Sequence, residues 1–577
     1  MVFTPPAWVP ELPIDPPDSV TVAEFMRHEK FGRHPIPKSR NPYTCGLTGK
    51  TYTWPEVIER EDCLARALGR VLDFKPREGS EWDKVVGLFS LNTIDYVPLT
   101  HAVHRLNGIV TPSSAVYSAT ELEHQLRSAG AKALVTCIPL LETAVKAADA
   151  AGIPRDHVFI LQMPNITKSV PFKTIDDLIE EGRNLPELEP LKWAKGQGAR
   201  QVAYLCYSSG TSGLPKAVMI SHRNIIANIL QKTTFESVPR KAYGIVTQVM
   251  LGLLPFSHIY GLVLITHVGT FRGDEIIVQP RFELKSFLAA VQRFKIEQLS
   301  LVPPILIQIL NNRELCQKHD LSSVRFIYTG AAPLGPETTD RLIKQYPKWR
   351  IGQGYGLTET ATVVTSTSEL DILMGSGGSL VPATRAKILD PEGNEITDYE
   401  TPGELLLQSP SVVLGYLNNV KATAETFIWD DDGRWIRTGD EVLVRKSPAG
   451  NEHFVIVDRI KELIKVNGHQ VAPAELEAHL LSHPYVNDCA VIQIPDERAG
   501  EVPKAFVLKA KEAAGKSDKE VEEAIHKYVQ EHKSRHKWLK GGIQFVDVIP
   551  KSPTGKILRR VLRDQEKKAR SAQNAKL

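Results

Sequence analysis

The sequence lacks any pair of cysteines spaced to hold a metal. Cys45, Cys63, Cys137, Cys206, Cys316 and Cys489 are scattered, with no CxxC and no histidine cluster beside them. This argues against a disulfide framework or a structural zinc site and fits a reducing compartment. An excess of one charge is also missing: 70 basic residues face 67 acidic ones, a formal net charge of +3. So even a balance argues against a nucleic acid or a membrane surface as main partner. No apolar run approaches the ~20 residues that a transmembrane helix needs. Met1–Pro17 carries six prolines with acidic residues, where a secretory leader would be basic and then apolar. Internal repeats are absent too. What is present is an ordinary globular composition, 42% hydrophobic and 24% charged, over 577 residues. That length exceeds a single hydrophobic core and predicts two or more domains.

Up to about residue 450, short apolar runs alternate with amphipathic segments, the pattern of an α/β layered domain. Val85–Phe89, His157–Leu161 and Val202–Cys206 read as buried strands. Ser118 and Glu121 have capping-box spacing and open a helix through Leu122 and Leu126, which leads to a strand at Ala133–Cys137. Val455–Val457 reads as a short strand. The dense charged stretch Asp458–Glu462 then introduces a smaller α+β region, where Val521, Ala524, Ile525, Tyr528 and Val529 share one helix face. The expected fold class is α/β, with a large N-terminal domain of layered sheets over 1–457 and a small α+β domain over 458–577.

Directly after the strand Val202–Cys206 comes Y-S-S-G-T-S-G-L-P-K, Tyr207 to Lys216. Two glycines let backbone N–H groups converge on an anion, the hydroxyls of Ser208, Ser209, Thr211 and Ser212 add donors, and Lys216 adds a positive charge. It is not a Walker A loop, since Leu214-Pro215 stands before the lysine. By composition alone, a Ser/Gly-rich surface turn is an equal reading.

Further motifs follow in order: Gly330-Ala331-Ala332-Pro333, Gln353 to Glu359, Thr438-Gly439-Asp440, Asp458-Arg459 through Gly468, and Pro553-Thr554-Gly555-Lys556. With Ser208–Lys216 they resemble the signature motifs of the adenylate-forming superfamily. Within it the chain resembles 4-coumarate:CoA ligase-like enzymes, and among these the overall text is most similar to the phenylacetyl-CoA ligases of filamentous fungi. The resemblance spans essentially the whole chain. Ala217 departs from it, standing where the family usually has glycine.

The resemblance implies an ATP-dependent carboxylate:CoA ligase that first forms an acyl-adenylate and pyrophosphate, then the CoA thioester and AMP. ATP, Mg2+ and CoA are the implied cofactor and co-substrates. Ser208, Ser209, Gly210, Thr211, Ser212, Gly213 and Lys216 would hold the phosphates. Thr358 would donate to the α-phosphate, and Glu359 would hold Mg2+, a hard oxygen ligand for a hard ion. Gly330, Ala331, Gln353, Gly354, Tyr355 and Gly356 would flank the nucleotide, Asp440 would accept the ribose hydroxyls, and Arg459 would stand beside it. Lys556 would bridge the substrate carboxylate and the α-phosphate in the first step. Rotation about a hinge at 458–461 would then withdraw Lys556 and bring in Lys465, Asn467 and Gly468. Lys461 and Lys465 would contact the phosphate or the acyl group, and Arg281, Asn467 and Gly468 would meet CoA. Asn467 departs from the lysine common there.

The same resemblance puts His258 near the reacting carboxylate and makes Tyr260, Gly330, Ala331, Gly354, Thr362 and Val363 the rest of the acid wall. These are mostly small or apolar, and none would pair a second carboxylate, so phenylacetate- or cinnamate-like aryl acids or medium-chain fatty acids are expected. A luciferase-like or carrier-protein-loading enzyme is the alternative, as is a non-catalytic acyl-nucleotide binder. The latter would be expected to have lost Glu359, Asp440, Lys465 or Lys556. Finally, Ala575-Lys576-Leu577 is a close variant of the Ser-Lys-Leu peroxisomal address, after a polar stretch, Arg563–Asn574, expected to be flexible. A peroxisomal import receptor is the partner that this implies.

Overall fold

The computed structural model describes residues 1–208, 215–332, 334–467, 469–496, 498–552 and 555–574. The loop residues Ser209, Gly210, Thr211, Ser212 and Gly213, together with Gly468 and Ala575-Lys576-Leu577, lie outside them.

Two large sheets and a smaller one share the first core. In the seven-stranded sheet, Val85–Phe89 lies between Ile109–Pro112 and Ala133–Thr136, all parallel, with Val202–Ser208 beyond. Val85–Phe89 is buried along its whole length, as a strand covered on both faces must be. The capping box of Ser118 and Glu121 forms and opens the helix Ala119–Ala129. The nine-stranded sheet contains the parallel run Gln298–Leu301, Phe326–Thr329 and Arg350–Leu357, and the last strand turns back into the antiparallel Thr362–Ser366. In the third sheet, Glu452–Arg459 pairs with Gly433–Lys446. Thus the short strand expected at Val455–Val457 is eight residues long and runs through Asp458 to Arg459. The Pro-rich start packs here as well: Phe3 bridges to Ala386 and meets Phe454 edge-on.

A second core is built from Ile464 to Leu562. Its sheet pairs Val486–Asp496 with Gly500–Lys509, and the helix Asp518–His532 lays Val521, Ile525 and Val529 against it. The stretch Arg563–Asn574 is not a flexible tail: it continues a helix, Arg559–Asn574. Buried Leu562 anchors that helix, and Glu566 reaches Lys504 at 2.5 Å and Arg570, one turn on, at 3.0 Å.

Between the seven- and nine-stranded sheets runs the helix His222–Ala242, started by a Ser221–Asn224 capping box. It is buried on nearly every side, so its polar residues Asn228, Gln231, Lys232 and Glu236 lie inside the protein. Beside it, Tyr260–His267 is a π-helix. Gly261 is required there, because a Cβ would stand 2.3 Å from the Pro255 carbonyl oxygen. The Leu262 carbonyl is met by the hydroxyl of Thr266 and, at 2.6 Å, by His267 Nδ1.

Candidate active site

The phosphate loop hangs between two paired strands. Ser208 ends one and Lys216 begins the other, and the two face each other in an antiparallel ladder. From this edge the Lys216 ammonium lies 4.7 Å from the ring centre of Tyr416. The Tyr416 hydroxyl donates to Glu359 Oε1 at 3.0 Å. Burial first, and Glu359 second, push the Tyr416 pKa up, so it remains a donor. Tyr416 thereby joins the phosphate-loop lysine to the carboxylate expected to meet the metal. The motif reading missed it. Its available signal was Gly415-Tyr416, whose strand pairs with Val218 and Met219, just after Lys216.

Gly354 to Glu359 occupies a strand end and the turn that reverses it. Ala361 (φ 52°) and Thr362 (φ 124°) make the reversal, and Gly356 packs so closely that a Cβ would overlap the Thr362 carbonyl. Thr358 opens the single 3-10 turn Thr358–Thr360. Successive residues of a strand point to opposite faces. Tyr355 therefore projects one way, and its hydroxyl donates to Asp440 Oδ2 at 2.6 Å. Gly354 faces the other way, where a Cβ would stand 1.9 Å from the Tyr328 hydroxyl. Gly330 is less tightly confined: a Cβ there would stand 3.3 Å from the Gly354 carbonyl oxygen and 3.4 Å from the Tyr260 ring, and Ala331 follows in the left-handed region (φ 67°). Tyr260 donates to the Tyr328 carbonyl at 3.0 Å, Thr362 donates to the Ile259 carbonyl at 3.2 Å, and the Val363 amide donates to Asn228. One strand thus separates the expected nucleotide slot from the expected acid wall.

Gln353 holds on to Leu334. Its Oε1 accepts from the Leu334 amide at 2.9 Å and its Nε2 donates to the Leu334 carbonyl at 3.3 Å. Its side chain thereby helps to shape the loop that carries Gly330 and Ala331.

Asp440 is only 4% exposed. Burial raises its pKa, opposed first by Arg459, whose Nε lies 3.6 Å from Oδ1. Lys556 comes to the same place from the second core. The turn Ser552–Lys556 is closed by the Ser552 amide on the Lys556 carbonyl, 2.8 Å, and Gly555 (φ 79°) rests against Pro304 and Val302, where a Cβ would find atoms at 3.2 Å. Burial, and then Arg459, push the Lys556 pKa down to about 8, with Glu462 and Asp440 opposing. His258 is held down to about 4 by burial and then by Lys556. The Tyr260 amide donates to His258 Nδ1 at 3.3 Å, so the neutral ring carries its proton on Nε2.

The structure does not bring every expected residue to this cluster. Lys461, Lys465, Asn467 and Arg281 are exposed. The Lys465 amide donates to Glu501, and Asn467 (φ 49°) sits in a tight hairpin turn, a conformation asparagine tolerates better than lysine. Where the two cores meet, Asp458 accepts from the Arg459 and Ala474 amides at 2.7 and 2.9 Å. Arg559 pairs with Glu462 at 2.5 Å and with Glu477 at 2.6 Å. Burial raises the Asp458 pKa, and the nearby Arg559 charge opposes that rise. The motifs gave no sign of Arg559.

Residues 36–417 match the family model for AMP-binding enzymes, and residues 475–556 match the C-terminal domain model of the same enzymes. The chain belongs to the AMP-binding enzyme family. The acyl-CoA ligase AKT1 of Alternaria alternata is 42% identical over 569 residues, covering 98% of this chain and 97% of that one. The acyl-CoA ligase easD of Emericella nidulans is 39% identical, covering 98% and 100%. Among solved structures, the anthranilate CoA ligase AuaEII with anthranoyl-AMP shares the fold, with a TM-score of 0.79, 23% identity and coverage of 96% and 99%. This family member is an AMP-forming acyl-CoA ligase, and its co-substrates are ATP and CoA.

Proposed function

We propose that this ligase activates an uncharged aryl acid or a medium-chain fatty acid with Mg2+ and ATP, using Lys556, and then turns about 458–461 to form the thioester. The observation that carries this is Lys556, a half-buried lysine of the second core near enough to Arg459, Asp440 and His258 of the first for their charges to act on one another. Attack of one anion on another needs aligned cations and donors. Lys556, a flexible point charge, would bridge the carboxylate and the α-phosphate. Neutral His258 offers Nε2–H without adding charge. Asp440, fixed by Tyr355, is an acceptor suited to ribose hydroxyls. Glu359 suits Mg2+, which is typically bound by one or two carboxylates together with substrate phosphates. Lys465 and Asn467 are exposed, and a turn of the second core would bring Lys465 to the phosphate or acyl group and Asn467 to CoA.

The uncharged acid is supported by the wall itself: Tyr260, Gly330, Ala331, Gly354, Thr362 and Val363 carry no charge, and His258 is neutral. Pyrophosphate release and thioester formation over a panel of aryl and aliphatic acids test the reading. We expect both products with CoA present, for a subset of uncharged acids. Pyrophosphate without any thioester would favour the luciferase-like alternative, and neither product with any acid would favour the non-catalytic binder.

A further inference from the structure

Behind the acid wall, the chemistry above leaves a row of buried polar side chains unused. Glu61 lies on the helix Trp54–Val71, His101 on the helix Tyr96–Arg105, and His267 ends the π-helix Tyr260–His267. All three are buried. His101 stands between the others: its Nδ1 is 2.7 Å from Glu61 Oε1 and its Nε2 is 3.1 Å from His267 Nε2. Arg27 forks onto the second Glu61 oxygen at 3.0 and 2.6 Å. His267 Nδ1 meets the Leu262 carbonyl at 2.6 Å, and the Leu262 amide donates to the His258 carbonyl at 2.9 Å.

The acceptors fix the direction of each bond in this row. A carbonyl oxygen only accepts, so His267 carries a proton on Nδ1. Burial, and then His101, hold the His267 pKa down to about 3, so the ring is neutral and its Nε2 accepts from His101. Burial favours a neutral Glu61, but His101 and then Arg27 outweigh it and hold its pKa down, so it accepts as a carboxylate. His101 therefore donates from both ring nitrogens. The row runs unbroken from Glu61 to the peptide group that bonds His258.

It ends on a carbonyl that distinguishes one helix type from another. An α-helix would give the Leu262 carbonyl to the Thr266 amide, four residues on. Here the turn is wider: the Val268 amide reaches the Val263 carbonyl, five residues back, and the Leu262 carbonyl is met by His267 Nδ1 and the Thr266 hydroxyl. A return to α geometry would drop one residue from the turn, about 100° of rotation, between His267 and the start of the helix. At that start stands Tyr260, whose ring faces Gly330 and whose hydroxyl donates to the Tyr328 carbonyl, with His258 just before it. A buried ion pair adds little net stability over well-packed apolar side chains, whereas a hydrogen bond fixes an orientation that apolar packing leaves open.

We infer that His267 and His101, backed by Glu61, are positioning residues for acid activation: their relay holds the wide turn that presents His258 and Tyr260 to the acid. This rests on the proposed acid site and names the residues behind it that set its shape.

The test follows pyrophosphate release with an acid that the wild type uses, varying acid and ATP separately. His267→Leu fills the space and removes the donor to Leu262. Its KM for the acid should rise on the order of tenfold, the value of one buried hydrogen bond, while its KM for ATP stays within about twofold. His267→Asn, whose amide N–H takes the place of Nδ1–H, should recover most of the loss. His101→Leu added to His267→Leu should cost no more than His267→Leu alone, because the relay is already cut. Thr266→Val, a smaller change of similar shape, should also raise the acid KM, and it decides the question should His267→Leu fail to fold. An equal rise in both KM values, no recovery with asparagine, additive losses in the double variant, or an unchanged acid KM in Thr266→Val overturns the inference and leaves the row to stability alone. A wild type that releases pyrophosphate with none of the acids would instead overturn the broader reading.

Discussion

Tyr355 and Asp440, 85 positions apart in the chain, are joined by a 2.6 Å hydrogen bond in which the phenol donates to the carboxylate. The bond fixes one carboxylate oxygen and leaves the other toward Arg459. Tyr355→Phe keeps the ring and removes the donor. Losing a hydrogen bond to a charged group costs about 1.5–3 kcal/mol. The KM for ATP should rise about tenfold or more, with a smaller change in kcat. Equal loss of both would mean that the pair acts in the transition state instead.

On the proposed mechanism, Lys556 should set the pH dependence of the first step. With its pKa lowered to about 8, it is a cation below that pH and neutral above it. The kcat/KM for pyrophosphate release, which reports the free enzyme, should be level below pH 8 and fall above it. Lys556→Arg should remove that fall if the activity is measurable. His258, held near 4, should add no inflection between pH 5 and 7.

Arg559 compensates Glu462 and Glu477 and stands by Asp458. Removing one partner of a buried ion pair typically costs about 3–5 kcal/mol, because the other is left charged and dry. Arg559→Met should lower the unfolding temperature of the second core, and pairing it with Glu477→Gln should recover part of the loss. Additive losses would show that the two residues do not interact.

Tyr416→Phe isolates the link between Lys216 and Glu359. The ring beneath Lys216 remains, and the donor to Glu359 goes. The Mg2+ concentration needed for half-maximal pyrophosphate release should rise about tenfold. An unchanged requirement would separate Glu359 from the metal.

Much of the site was legible because its residue types sit at strand ends and turns, where the chain order of the motif is also its spatial order. Gly354, Tyr355 and Glu359 are neighbours in sequence and in the site. Tyr328, Lys232, Tyr416 and Arg559 were not legible, for a common reason: each meets its partner across tens of residues or more, as Lys232 meets Ser366 across 134 positions. A lysine on a helix with no polar face reads as a surface lysine until its burial is known. Arg563–Asn574 misled in the opposite direction. Its charged composition suggested flexibility, while the i,i+4 pair Glu566–Arg570 was the overlooked helix signal.

On the proposed mechanism, Lys556 should serve adenylation alone. The direct measurement compares Lys556→Ala with the wild type in two separate assays, pyrophosphate release from acid and ATP, and thioester formation from supplied acyl-adenylate and CoA. Loss of a charge-assisted contact in the transition state typically costs about 3–4 kcal/mol, or roughly 100- to 1000-fold. The account predicts that loss in the first assay and a rate near wild type in the second. An equal loss in both would contradict it.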